Sequence, residues 1–214
     1  AVSFKKEIQI KVQKRLAERK SAPHLAAILV GDDPASSAYV RGKVRDCKEV
    51  GFKSTLIHLK DDVLQEELIQ NIQMLNSNSE IHGYIVQLPL PNGINEKEIL
   101  LAIDPMKDVD GFHPENVGRM ALGLKTYLPA TPYGILLLLQ FYGIETTGKN
   151  AVVIGRSHIV GSPMSILLSS NIEFGNATVT LTHSRTKNLE EVTKNADILI
   201  AAIGKPSFIN KNFI

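Results

Sequence analysis

The sequence predicts a two-domain α/β protein built on parallel sheets. Three observations predict it. Short continuous apolar runs, such as Leu25 to Val30 and Ala151 to Ile154, alternate with segments whose apolar residues recur at helical spacing. The connections between the runs are long enough to hold helices, so the strands they join are expected to run parallel. The alternation also occurs twice, on either side of a stretch rich in turn and breaker residues.

Bulk properties set the outer limits. A chain of 214 residues can bury one large core or two small ones. Its hydrophobic fraction of 43% and charged fraction of 21% are ordinary for a soluble globular protein. The net charge of +2 comes from 24 basic and 22 acidic residues spread through the chain. No concentrated basic field exists, so no nucleic-acid partner is expected. Cys47 is the sole cysteine, which excludes an internal disulfide and fits a reducing compartment. No apolar run approaches the roughly 20 residues that span a bilayer. There is no initial Met and no signal-peptide pattern. The chain opens at Ala1 directly before a helical pattern and stops at Ile214 without a closing element. Residues are expected to be missing at both ends.

Taken in order, Phe4, Ile8, Val12 and Leu16 mark an amphipathic helix with a solvated polar face. Leu25 to Val30 reads as a buried strand ending in the turn former GDDP, after which a helix capped by Ser36 or Ser37 is expected. Thr55 to Leu59 reads as a strand, Leu64 to Leu75 as a helix, and Gly83 to Leu88 as a strand running into the loop PLPNG. Glu96 to Ile103 reads as a short helix stopped by Pro105, and KDVDGFHPENVG as an ordered loop. Thr131 is the expected N-cap of the next helix, with Pro132 in its first turn and Ile135 to Tyr142 as its apolar body. The domain junction is placed here, with residues 1–130 in the first domain and 131–214 in the second. Beyond it come strand Ala151 to Ile154, helix Val160 to Ser170, strand Ala177 to Thr182, helix Leu189 to Asn195 and strand Ile198 to Ala202. Three strands make a reduced or incomplete doubly wound domain.

Ligands of parallel sheets bind beyond the carboxyl ends of the strands, so the chemistry is sought there. Tyr39 and Lys43 lie four residues apart, on one face of a helix that starts just after a strand end. A lysine held there can lose charge through desolvation and serve as a base or proton shuttle. The alternative is surface decoration, alongside Arg41, Arg45 and Lys48. Gln87 interrupts an apolar strand at its carboxyl end. Its amide either meets Lys43 or a substrate, or bonds the loop backbone of Pro89 to Asn92. Asp108 and Asp110 resemble a metal-binding pair but lack further ligands, so no metal is expected. A carboxylate accepting parallel N–H bonds from an aminopyrimidine-like array is a better use. His24, His58, His82 and His113 are read as structural or surface residues, and neither a Ser/His/Asp nor a nucleophilic-Cys context appears.

In the second half, the turn AVVIGRSHIVGSP joins a strand to a helix and offers free N–H groups to a phosphate, or is simply a structural turn. Its Gly155 and Gly161 lie six residues apart, which does not match the common dinucleotide fingerprint. THSRT follows the next strand, where the adenosine ribose is read. Ser184 and Arg185 there, with Arg156 and Ser157 in the first turn, supply the hydroxyls and guanidinium that a 2′-phosphate calls for. They favour NADP over NAD, the alternative being an ordinary polar loop.

Together these segments resemble the bifunctional methylenetetrahydrofolate dehydrogenase/cyclohydrolase family. ILVGDDPASSAYVRGK, IHGYIVQLPLP, PMKDVDGFHPENVG, LPATPYGI, VVIGRSHIVGSP and THSRT occur in family order, with AAIGKP near the end. The resemblance implies a folate-binding catalytic domain and a Rossmann-type NADP domain, with the folate between them. It implies oxidation of 5,10-methylenetetrahydrofolate with NADP⁺ and hydrolysis of the methenyl product to 10-formyltetrahydrofolate, in one-carbon metabolism and purine biosynthesis. Lys43 resembles the catalytic lysine, Tyr39 the ring that stacks on the folate, Gln87 the partner of the lysine, and Asp110 the carboxylate that holds the pterin; Leu88 joins the substrate set. Thr131, Gly155, Arg156, Ser157, Val160, Gly161, Pro163, His183, Ser184, Arg185, Ala202 and Gly204 match cofactor positions. A cytoplasmic homodimer is also implied. Two departures stand out. Ala130 replaces a Cys common before the Thr-Pro pair, and the family continues past this chain into a further strand, loop and helix. The readings set against this one are a dehydrogenase of the same layout acting on another metabolite, and a nucleotide-binding regulatory protein. The joint presence of Tyr39, Lys43, Gln87 and Asp110 argues against the latter.

Overall fold

The computed structural model describes residues 2–214, with side chains from residue 4 onward. The chain forms two compact units, the first ending at Val109 and the second running Asp110–Ile214.

In the first unit, helix α1 (Val2–Ala17) precedes strand β1 (His24–Val30), helix α2 (Pro34–Val50), strand β2 (Lys53–Leu59), helix α3 (Gln65–Ser77), strand β3 (Gly83–Val86) and helix α4 (Glu96–Ala102). The strands form a parallel sheet in the order β2-β1-β3, with Ala26 level with both Thr55 and Tyr84. The central place of β1 explains its unbroken apolar run. Ala26, Ile28 and Val30 face a cluster containing Leu68, Ile72 and Leu75 of α3, while Ala27 and Leu29 face Val40 of α2 and Ile85 of β3. Strand β2 lies at the edge and alternates exposed with half-buried residues, as a half-solvated strand should. In α1, only Val12 of the expected apolar row is fully buried; Ile8 and Leu16 are exposed.

The cap of α2 differs from the expectation. Asp33, not Ser36 or Ser37, is the N-cap, and its carboxylate accepts the Ser36 N–H at 2.7 Å. Pro34 suits the first helical position because its fixed φ is helical and it has no N–H to satisfy, which moves the cap back to Asp33.

The second unit contains helices α5 (Pro114–Ala121) and α6 (Ala130–Phe141), strand β4 (Asn150–Ile154), helix α7 (Gly161–Ser169), strand β5 (Thr178–Thr182), helix α8 (Leu189–Lys194) and strand β6 (Ile198–Ala201). Two expectations are corrected here. Part of the presumed loop 107–118 is helix α5, because His113 Nδ1 accepts the Glu115 N–H at 3.1 Å and Pro114 takes the first position. Thr131 does not cap α6. That helix follows Pro129, starts at Ala130 and has no side-chain cap bond. Pro132 is tolerated two positions later than expected, as the third helical residue, because none of the first N–H groups of a helix has an internal partner.

The three strands pair in parallel in the order β5-β4-β6, with Ile154 level with Thr182 and Ala201. Ala151 and Val153 pack on Met164, Leu167 and Leu168 of α7. Val152 and Ile154 pack on Leu189, Ile203, Phe208 and Phe213. Both faces of β4 are thus covered, and because the three strands run parallel their carboxyl ends share one edge of the sheet.

Candidate functional site

In the first unit, three residues separate β1 from α2, so the first turns of α2 stand beside the carboxyl end of the sheet. Val40 and Val44 pack in one cluster with Ala27, Leu29 and Ile85. Their sequence neighbours Tyr39 and Lys43 therefore ride at the rim of a packed face, with Tyr39 67% exposed and Lys43 half-buried.

Gln87 lies just beyond β3, two residues after Ile85. Its backbone N–H extends the ladder to Ile28 O at 2.9 Å. The side chain divides between the two readings left open by the sequence. Its Nε2 donates to Leu88 O at 2.7 Å, as a loop brace would. Its Oε1 is buried and has no hydrogen-bond partner among the described residues. A buried acceptor left unpaired costs about 1–3 kcal/mol, so this oxygen is a place where a donor would be well received. Half-buried Leu88 follows, joined to Pro89 by a cis peptide bond.

Asp108 and Asp110 have different surroundings. Asp108 is 2% exposed and forms a parallel bridge with Tyr84, while Asp110 is half-buried and opens the second unit. Among the described residues, no group of three His, Cys, Asp or Glu could hold a metal ion. The histidines have local partners: His24 Nε2 meets Thr55 Oγ1 at 2.8 Å, His82 Nδ1 accepts the His24 N–H at 3.1 Å, and His58 Nε2 meets Gly31 O at 2.9 Å. Cys47 is buried, and burial pushes its thiol up from the ordinary range.

In the second unit, β4 ends at Gly155, whose φ is +104°. A Cβ there would overlap Ala202 O, and a Cβ at Gly161 would overlap Gly155 O. The six-residue spacing of these glycines is set by this close approach of backbone to backbone. The turn was expected to leave its N–H groups free, and here the structure differs. Ser157 Oγ accepts from Val160 N at 3.2 Å and Gly161 N at 3.4 Å, and thereby covers the start of α7. The Ser157 hydroxyl keeps its own proton to donate. Arg156 and Ser157 are exposed, Val160 is half-buried and Pro163 is buried.

After β5, THSRT is braced by its own side chains. His183 N donates to Thr186 Oγ1 at 2.9 Å, and Arg185 N donates to His183 Nδ1 at 3.2 Å. Ser184 and Arg185 point outward as exposed residues. Beside this turn lies a cavity of about 370 Å³ walled by Ile154, Gly155, His183, Ser184, Leu189, Ile203, Gly204, Lys205 and Phe208.

Of the residues expected at a cofactor, Gly155, His183, Ser184 and Gly204 line this cavity. Thr131, Arg156, Ser157, Val160, Gly161, Pro163, Arg185 and Ala202 are outside its wall. Ile154, Leu189, Ile203, Lys205 and Phe208 were not anticipated. Three of them belong to the stretch AAIGKPSFI, whose only signal was the apolar spacing of Ile203 and Phe208 around a Gly-Lys-Pro turn. The cavity fits a nucleotide, since apolar side chains from Ile154, Leu189, Ile203 and Phe208 can flank a planar base while polar groups stand at the strand ends.

Fold and site together define a class: two-domain α/β enzymes that pair a catalytic unit with a Rossmann-type nucleotide unit. Family models sharpen this, matching the tetrahydrofolate dehydrogenase/cyclohydrolase catalytic domain over residues 1–110 and the NAD(P)-binding domain of the same family over residues 129–214. The chain belongs to the tetrahydrofolate dehydrogenase/cyclohydrolase family. The bifunctional protein FolD of Cytophaga hutchinsonii is 56% identical over 211 residues, which cover 99% of this chain and 73% of the relative. The crystal structure of the FolD methylenetetrahydrofolate dehydrogenase/cyclohydrolase of Campylobacter jejuni matches with a TM-score of 0.94 at 43% identity, covering 100% of this chain and 74% of that one. The Trypanosoma brucei enzyme, solved with NADP and an inhibitor, matches at 0.89 and 32% identity over 95% of this chain and 69% of that one.

Proposed function

We propose that this chain oxidises 5,10-methylenetetrahydrofolate to the methenyl form with NADP⁺ and hydrolyses the methenyl form to 10-formyltetrahydrofolate. Membership of the family supports the reaction, and one observation supports placing the chemistry at the end of β3: the buried Oε1 of Gln87, without a partner among the described residues and just past a strand on which the Lys43 helix is packed.

In this reading residues 1–130 handle the folate and residues 131–214 the cofactor. Tyr39 offers an exposed ring face to the aminobenzoyl group, a stacking contact that tolerates water on its outer side. Asp110 accepts parallel N–H bonds from the pterin, and Leu88 borders the substrate. Gln87 Oε1 accepts a hydrogen bond from the Lys43 ammonium or from substrate N–H, which removes the cost of its orphaned state. Hydrolysis needs water to add to the bridging carbon and the bond from that carbon to N5 to break. Lys43 passes one proton of the adding water to N5, a task suited to an amine on a half-buried stem, and the second proton leaves to solvent as the formyl C=O forms.

Bound NADP⁺ supplies the hydride acceptor. Arg156, Ser157 and Ser184 are assigned to its phosphates, Gly155 and Gly161 let the backbone pass close to them, and His183 and Gly204 stand in the cavity wall. Thr131, Val160, Pro163, Arg185 and Ala202 complete the proposed set. The family resemblance adds a homodimer acting in the cytoplasm.

The test is the growth of NADPH absorbance when the purified protein meets 5,10-methylenetetrahydrofolate and NADP⁺, followed by decay of the methenyl absorbance. Absence of both signals from a folded protein overturns the proposal.

A further inference from the structure

We propose that Asn76 and Lys107 are positioning residues for the folate: together they clamp the segment from Ala102 to Val109 onto the end of α3 and so set the place of Asp110. The inference rests on the folate reading above and adds to it two residues outside the proposed site.

Asn76 stands in the last turn of α3, although asparagine is a poor helix former. Its side chain is half-buried, and both of its polar atoms are employed outside the helix. Nδ2 donates at 2.8 Å to Ala102 O, one of the carbonyls left without an intrahelical partner at the end of α4. Oδ1 accepts the Asp104 N–H at 2.9 Å and the Tyr84 hydroxyl at 2.6 Å. Lys107 reaches the same helix end. Its Nζ donates to Leu75 O and to Asn78 O, each at 2.7 Å, where a cation also meets the negative end of the helix dipole.

Between these anchors the chain makes a tight turn. Asp104 O accepts the Lys107 N–H at 2.8 Å and the Asp108 N–H at 3.0 Å, and Lys107 O accepts the Tyr84 N–H at 2.9 Å. The turn brings Val109 against Gly83, where a Cβ would overlap the valine side chain, and into the cluster of Ala27, Leu29, Val40 and Ile85. Val40 belongs to α2, the helix of Lys43. Asp110, the next residue, is therefore placed by a backbone that four side-chain hydrogen bonds tie to the end of α3 and that Val109 seats on the packing of α2. Paired bonds from a carboxylate to a pterin are directional, so a displaced carboxylate loses them.

The test measures binding of tetrahydrofolate by titration calorimetry, with 2′,5′-ADP, a fragment of the NADP cofactor, as the control ligand. Asn76→Leu keeps the size and removes both amide bonds to the segment. It should weaken tetrahydrofolate roughly tenfold, about the worth of one charge-assisted hydrogen bond. Lys107→Met keeps the aliphatic stem and removes the other two bonds at a half-buried site, so it tests the clamp even where Asn76→Leu does not fold. Its loss should be roughly three- to tenfold. Affinity for 2′,5′-ADP should change by less than about twofold in both, as expected for distant sites. Amide exchange over residues 104–110 should quicken in both variants. Ile72→Val, which truncates a fully buried side chain of the same helix, should lower Tm and leave tetrahydrofolate affinity as it was. Clamp variants that bind tetrahydrofolate like the parent, or an equal loss of affinity in Ile72→Val, overturn the role of the clamp. A parent that binds 2′,5′-ADP but not tetrahydrofolate overturns the folate reading itself, and the clamp's role falls with it.

Discussion

Gly161 stands so close to the carbonyl oxygen of Gly155 that no side chain can be placed between them. A methyl group at position 161 must push the strand end away from the helix start, which also displaces the Ser157 hydroxyl that bonds Val160 N and Gly161 N. Gly161→Ala is expected to cost about 1–3 kcal/mol, as overpacking does. It is also expected to abolish NADP⁺ binding. Thermal unfolding and cofactor titration check both, and a variant with unchanged Tm and affinity would remove the turn from the proposed site.

Lys43→Met keeps the aliphatic stem and loses the ammonium. Val40 and Val44 continue to hold α2 on the sheet, so the fold is expected to persist. Cyclohydrolase turnover should fall by about two to four orders of magnitude, the range for a lost acid or base. Affinity for 2′,5′-ADP should stay as it was, because Lys43 belongs to the first unit and the nucleotide cavity to the second. Loss of nucleotide affinity would contradict the assignment.

Gln87→Leu separates stability from activity. The change removes an unpaired buried acceptor, and it also removes the bond from Nε2 to Leu88 O. The first effect is worth about 1–3 kcal/mol in favour of the variant and the second about 0.5–1.5 kcal/mol against it. The variant should be as stable as the parent or more so, while turnover drops. A large fall in Tm would mean that Gln87 is a structural brace.

The difference between Asp33 and Ser36 shows what one sequence can disclose. Both are good caps by residue type, and only the position of Pro34 decides between them. The buried strand Ala26 to Val30 was legible because continuous apolar runs need cover on both faces. Helix α5 was hidden by the breaker-rich string FHPENVG, although His113 and Pro114 there are the start of a helix. Lys43 was singled out by its four-residue spacing from Tyr39 on the helix after β1, and Gln87 because it interrupts an apolar strand near its end. Lys205 and Phe208 were not, since the wall they form is created by three strand ends meeting in space, and no spacing along the chain records that meeting.

The Ser36 N–H bonded to Asp33, helped by the Ser36 hydroxyl, holds that carboxyl below the ordinary aspartate value of 3.8. A carboxyl whose pKa is lower folded than unfolded stabilises the fold above its unfolded value, and that stability is lost as pH falls through the folded value. The gap in Tm between the parent and Asp33→Ala should therefore be constant above pH 3.8 and shrink below it. Asp33→Asn, which caps without charge, should show no such dependence at this position. A gap that stays unchanged on acidification would mean that another group caps α2.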